Sequence, residues 1–130
     1  MQIGVLAKRA GVPIDTVRYY ERQGLLPQPP RQLSGYRRYE EADVLRLRFI
    51  RRAKALGFTL EEIRSLLELS ARRNDDMADL KHAAQARLQS LDARIAELEA
   101  IRAALKLLVA NCPGHGQLDT CPIRAALAKD

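Results

Sequence analysis

From Asp75 to Asn111 the chain contains neither glycine nor proline, and this run limits the fold more than any other feature. Within it Met77, Ala84, Leu91, Leu98 and Leu105 recur at every seventh position. Leu80, Leu88, Ile95, Ile101 and Leu108 fill most of the companion positions of a heptad pattern. At 1.5 Å per residue, a helix over this run is about 50 Å long. Its apolar stripe can be buried only against another helix, and the sequence offers no second long one. A two-stranded coiled coil in a homodimer is therefore expected. The composition agrees: hydrophobic residues make up 47%, charged residues 29% and aromatics only 5%, which suits long amphipathic helices better than a β-sandwich or a disordered tail.

Charge divides the chain unevenly. The first 58 residues carry twelve Lys/Arg against five Asp/Glu, and the remainder ten against eleven, so all of the net charge of +6 comes from the first half. A basic N-terminal region joined to a neutral helical one is the layout of a nucleic-acid binder with a dimerising or sensing tail. The same excess is also compatible with a merely solvated surface. Lys106 interrupts the richest apolar stretch, and Lys8 and Arg9 stand where a signal-peptide core would lie, so a cytoplasmic protein without a membrane partner is expected. Two cysteines are too few for a disulfide scaffold.

Ile3 to Ala10 reads as a short helix stopped by Gly11, and Pro13 to Arg22 as a second, with Pro13 in its first turn and Gly24 at its end. Together they make a helix-turn-helix. Prolines 27, 29 and 30 break the chain, after which Arg31–Leu33 and Tyr36–Tyr39 are predicted as two short strands joined at Ser34-Gly35, a wing. Glu40 to Leu56 is helical and closed by Gly57. Thr59 and Glu62 form a capping box for a further helix through Leu69. Asn74-Asp75-Asp76 signals the start of the long helix. The expected organisation is a winged helix-turn-helix with connecting helices over 1–70, a dimerisation helix over 74–111, and a loop and tail over 112–130.

In a helix-turn-helix the second helix enters the major groove, which makes Thr16 and Arg18 the groove-facing candidates. Arg31, Tyr36, Arg37 and Arg38 are candidates for phosphate contacts from the wing. The ordered set Ile3-Gly4-Val5-Leu6-Ala7, Val17-Arg18-Tyr19-Tyr20-Glu21-Arg22, Gly24-Leu25-Leu26, Ser34-Gly35-Tyr36-Arg37 and Gly57-Phe58-Thr59-Leu60-Glu61-Glu62-Ile63 closely resembles the MerR family of transcription regulators. The resemblance implies a homodimer with an antiparallel coiled coil, bound to pseudo-palindromic promoter DNA with an overlong spacer. It further implies that effector binding bends and untwists the promoter for RNA polymerase. By the same resemblance Arg18, Tyr20, Tyr36 and Arg37 would contact DNA.

A second constellation is Asn111-Cys112-Pro113-Gly114-His115-Gly116-Gln117-Leu118-Asp119-Thr120-Cys121-Pro122-Ile123. Pro113-Gly114 must end the long helix, and a loop of eight intervening residues can return Cys121 to Cys112. Paired thiolates select soft ions over Mg or Ca. Two unpaired thiols or a redox disulfide fit the spacing as well. Within a MerR-like chain, the pair resembles the metal-binding loop of the metal-responsive branch. MerR-like sensors of divalent ions place a third cysteine at the start of the long helix, where this chain has Met77. Two thiolates suit linear Cu(I), Ag(I) or Au(I). The loop spacing, nearer that of mercury sensors, and His115 as a nitrogen donor point instead to Hg(II), Zn(II), Cd(II) or Pb(II). Met77 is a possible thioether ligand but also lies on the heptad stripe. A thiol-based redox or electrophile sensor on the same scaffold is the alternative function. No C-x-x-C beside a βαβ pattern, nucleophile–base pair or glycine-rich phosphate loop suggests an enzyme.

Overall fold

The computed structural model describes residues 1–29, 33, 35, 36, 38–72 and 76–130. It is mainly α, as expected: α1 (Ile3–Ala10), α2 (Ile14–Arg22), α3 (Glu41–Ala55), α4 (Leu60–Ser70), α5 (Ala78–Asn111) and α6 (Pro122–Leu127), with a 3₁₀ turn at Leu118–Thr120. By contact the chain divides into two units, Met1–Ala83 and Ala84–Asp130.

Local chemistry sets the helix boundaries of the first unit. Gly11 adopts φ +73°, and the N–H groups of Gly11 and Val12 return to the carbonyls of Lys8 and Ala7, closing α1 with a Schellman motif. Gly24, also at φ +73°, closes α2 the same way through the bonds Gly24 N–H to Glu21 and Leu25 N–H to Tyr20. Pro13 stands one position earlier than expected, as the N-cap of α2 with ψ 153° rather than inside its first turn. The Thr59–Glu62 capping box is present in both directions, at 2.9 and 3.2 Å. A second box opens α3, where the Glu40 N–H donates to Asp43 Oδ2 at 2.8 Å.

These helices enclose one core. Leu6, Val17, Leu25, Leu26, Val44, Leu47, Ile50 and Ile63 are essentially fully buried, so each helix from α1 to α4 contributes a face, along with the turn after α2. Burying each such side chain stabilises the fold by about 1.5–3 kcal/mol before entropy is counted. Leu80 and Ala83, in the first turns of α5, are partly buried against this core.

The two predicted wing strands lie partly outside the described residues, Arg31, Gln32, Ser34 and Arg37 among them. None of the described residues from 33 to 40 is in a strand. Tyr39 instead pairs with Met1, its N–H donating to the Met1 carbonyl at 2.8 Å and its carbonyl accepting from Met1 N at 2.8 Å. Its backbone groups are thus used by a residue far away in sequence rather than across the turn. Asn74 and Asp75 lie outside the described residues, and α5 starts at Ala78.

In the second unit, α5 runs unbroken to Asn111 and has no buried residue along its whole length. Leu91, Ile95, Leu98, Ile101 and Leu105 stay substantially exposed. Gly114 and Gly116 take positive φ in the loop that follows, before α6.

Candidate functional site

Helix α2 turns Val17, Tyr20 and Glu21 inward and leaves Arg18, Tyr19 and Arg22 exposed, with Thr16 half-buried. The 3.6-residue period fixes this division. Arg18 and Arg22 line an open cavity of about 510 Å³ together with Gln2, Glu21, Gln28, Tyr36 and Tyr39. Two guanidinium groups and the exposed phenol of Tyr36 around one concavity form a surface suited to an anionic polymer. Arg31 and Arg37 lie outside the described residues.

Tyr20, a DNA contact by resemblance, is mostly enclosed by the fold. It is 7% exposed and belongs to the core, and burial, with a smaller effect of Tyr19, pushes its hydroxyl pKa up. Tyr19, with its ring centroid 5.8 Å from that of Tyr20, is the exposed member of the pair. Sequence reading also missed Glu21. Only 8% exposed, it accepts a hydrogen bond from the Tyr39 hydroxyl at 2.9 Å, which satisfies a carboxylate at the floor of the cavity.

Part of the positive charge of this unit serves the fold rather than its surface. Arg9 donates two 2.6 Å bonds to Glu41, which holds the Glu41 carboxyl below its usual pKa and raises that of Arg9. Arg48 and Arg51 donate to the carbonyls of Arg9 and Ala10 at the end of α1, at 3.2 and 3.4 Å. Arg46 Nε reaches the Leu25 carbonyl at 2.5 Å, and Arg64 Nη2 the Gln23 carbonyl at 2.7 Å.

In the second unit the loop after α5 brings Cys112 and Cys121 together. Both are free and half-buried, and the Cys112 thiol is one of the groups that influence Cys121. The N–H groups of Arg124 and Ile123 also bond the Cys121 sulfur, and with Arg124's bond the strongest influence the thiol is held below its ordinary pKa. His115 does not join them on its Nδ1 side, since that atom lies 3.1 Å from the Pro113 carbonyl. Met77 is 78% exposed. Among the described residues no group of three or more His, Cys, Asp or Glu could hold a metal. Higher on α5, Leu98, Ile101, Leu105 and Val109 form an apolar groove edged by Arg102 and Lys106. No helix among the described residues is long and apolar enough to cross a membrane.

Residues 1–70 match the family described as MerR HTH family regulatory protein, and residues 44–108 match the one described as MerR, DNA binding. The chain belongs to the MerR family. It is thus one of a family of regulatory proteins, not of enzymes. Among MerR relatives, it is 42% identical to the HTH-type transcriptional regulator HmrR of Rhizobium leguminosarum bv. viciae, over 98% of each chain. It is 40% identical to the mercuric resistance operon regulatory protein of Serratia marcescens, over 98% of this chain and 87% of that one. The crystal structure of the transcription regulator PbrR691 from Ralstonia metallidurans CH34 in complex with lead(II) superposes with a TM-score of 0.87. The two are 37% identical, over 98% of this chain and 99% of the other. A winged helix-turn-helix followed by a long helix is thus the fold of this MerR protein.

Proposed function

We propose that this MerR protein is a metal-responsive transcription regulator that binds promoter DNA as a homodimer and activates RNA polymerase there by distorting the DNA. The observation that carries the metal reading is the thiol pair: Cys112 and Cys121 flank one short loop, and the Arg124 and Ile123 N–H groups together with the Cys112 thiol hold the Cys121 thiol below its ordinary pKa. Deprotonated thiolates are the form that binds soft metals. The donor set therefore fits a thiophilic ion, which would supply a crosslink between the end of α5 and the start of α6. Two relatives named for mercury resistance and lead binding support the same class.

Two thiolates alone, the set found among the described residues, suit linear, monovalent Cu(I), Ag(I) or Au(I). The names of the relatives favour Hg(II) or Pb(II), with Zn(II) and Cd(II) in the same divalent class. His115 separates the two readings: His115→Ala leaves a two-coordinate site intact and weakens a divalent one that uses this imidazole.

For DNA, Arg18 and Tyr36 at the cavity are the leading contacts, with Thr16 on the same helix as Arg18, Arg31 as a wing candidate, and Tyr20 and Arg37 carried over by resemblance. The exposed seam of α5 supports the homodimer, because a second copy would cover it. Fixing the loop between Cys112 and Cys121 would bias two arrangements of the dimer on its operator, and so its output.

Two substitutions test the reading. Cys112→Ser and Cys121→Ser should each abolish metal-dependent transcription from a reporter while leaving operator affinity within about twofold, because the DNA contacts lie elsewhere. A double serine variant that still answers to every ion tried, Cu(I) through Pb(II), would falsify the metal reading. Thiol counting before and after mild oxidation distinguishes the redox alternative, in which the response tracks a disulfide instead of metal.

A further inference from the structure

Helix α2 ends in a turn whose apolar side is locked by Leu25 and Leu26, both fully buried. On its polar side, the carbonyls of Gln23 and Leu25 lie past the last helical residue, where no intrahelical donor is available. Two guanidinium groups from two different helices converge there. Arg64 on α4 donates from Nη2 to the Gln23 carbonyl at 2.7 Å, and Arg46 on α3 donates from Nε to the Leu25 carbonyl at 2.5 Å. Between these carbonyls sits Gly24 at φ +73°, where a Cβ would come within 3.4 Å of Arg64 Nη1. Charge-assisted bonds to carbonyls at a helix C-terminus are strengthened by its negative dipole end.

We infer that Arg46 and Arg64 are positioning residues: by gripping the Gln23–Leu25 turn from α3 and α4, they set the angle at which α2 presents Arg18 to a base pair. This rests on the DNA-binding reading above. Their guanidinium groups bond backbone carbonyls, and Arg64 also lies 3.7 Å from the Glu61 carboxylate, so they govern specificity without contributing to the electrostatic part of binding. In a helix whose early residues read bases, a small rotation misplaces a side chain that must approach a base edge within hydrogen-bond reach.

The test uses the full chain and two duplexes: the one enriched by the parent protein from a random pool, and an unselected duplex of equal length. Failure of the parent to enrich any duplex would overturn the DNA-binding reading itself; the inference is judged only on a parent that discriminates. Arg46→Met and Arg64→Met keep the apolar stem and remove the donor. Each should lower the ratio of selected to unselected affinity by about tenfold, with the slope of log affinity against log salt unchanged. Arg64→Lys, which restores a donor, should recover most of that ratio. A slope reduced by about one unit would overturn the inference, since it would mean that the arginine neutralises a phosphate. An unchanged ratio in folded Met variants would overturn it too, as would Arg64→Lys matching Arg64→Met. Should a Met variant be unfolded by circular dichroism at the assay temperature, the ratio measured for Arg64→Lys and Arg46→Lys decides: near the parent's it upholds the inference, near unity it overturns it.

Discussion

The two units solve the burial problem in opposite ways. Residues 1–83 bring apolar faces from four short helices around a shared interior, where eight large side chains are closed off from water. Residues 84–130 contain the longer stretch of regular helix and bury nothing along α5. An isolated helix of this kind derives little stability from propensity alone, since helix formation is cooperative and weakly favoured. The contrast teaches that helix length is not stability: the first unit can be held by its own contacts, whereas the second depends on the cover supplied by the proposed partner copy.

The sharpest way to break this comparison is Leu91→Glu, at the centre of the heptad seam. A carboxylate placed in a covered apolar seam is costly to desolvate, and sedimentation should show dissociation to monomer with loss of helical signal from α5. A folded dimer of this variant would refute the account of the second unit. In the first unit, Leu47→Ala opens a cavity in a fully packed core and should cost about 2–5 kcal/mol in denaturant unfolding. If the units are as distinct as their burial indicates, the dimer should survive denaturant concentrations at which this mutant first unit has melted. Tyr39→Phe is milder. It removes the hydroxyl that bonds buried Glu21 and should destabilise by about 1–3 kcal/mol, read by thermal melting at constant pH.

The smallest expected effect is that of Glu41→Gln. Pairing with Arg9 lowers the Glu41 pKa in the folded state, so the pair's contribution is present above the unfolded carboxylate value and fades as pH falls through the folded one. Both side chains are exposed and screened, so the melting-temperature difference between parent and variant should be small at pH 7, and it should vanish in acid. A difference that grows on acidification would show that Glu41 acts through something other than Arg9.

Local signals carried most of the fold. Gly11 and Gly24 end their helices because the left-handed conformation suits them, and the Thr59–Glu62 box works within one turn, so both could be read from neighbouring residues. What escaped is non-local. Whether Tyr19 or Tyr20 faces inward depends on how α2 lies on the core, which spacing alone left open, and the structure buries Tyr20. Glu21 is of a residue type that belongs outside until Tyr39, eighteen positions on, supplies its partner. The pairing of Tyr39 with Met1 is likewise non-local. The bonds of Arg46 and Arg64 to carbonyls 21 and 41 positions away are equally invisible to local spacing.

Those long reaches also matter while the chain is being made. Arg9 meets Glu41, and Gln23 meets Arg64, across 32 and 41 positions, so α1 and α2 emerge from the ribosome well before the helices that fasten them. At about 5–20 residues per second, the nascent helix-turn-helix waits several seconds with its apolar faces unpaired. During that interval the helices have only their own glycine closures to hold their ends. A newborn chain stalled before Arg64 would expose the would-be recognition surface in an unfastened form, open to proteases and to chaperones that bind apolar segments.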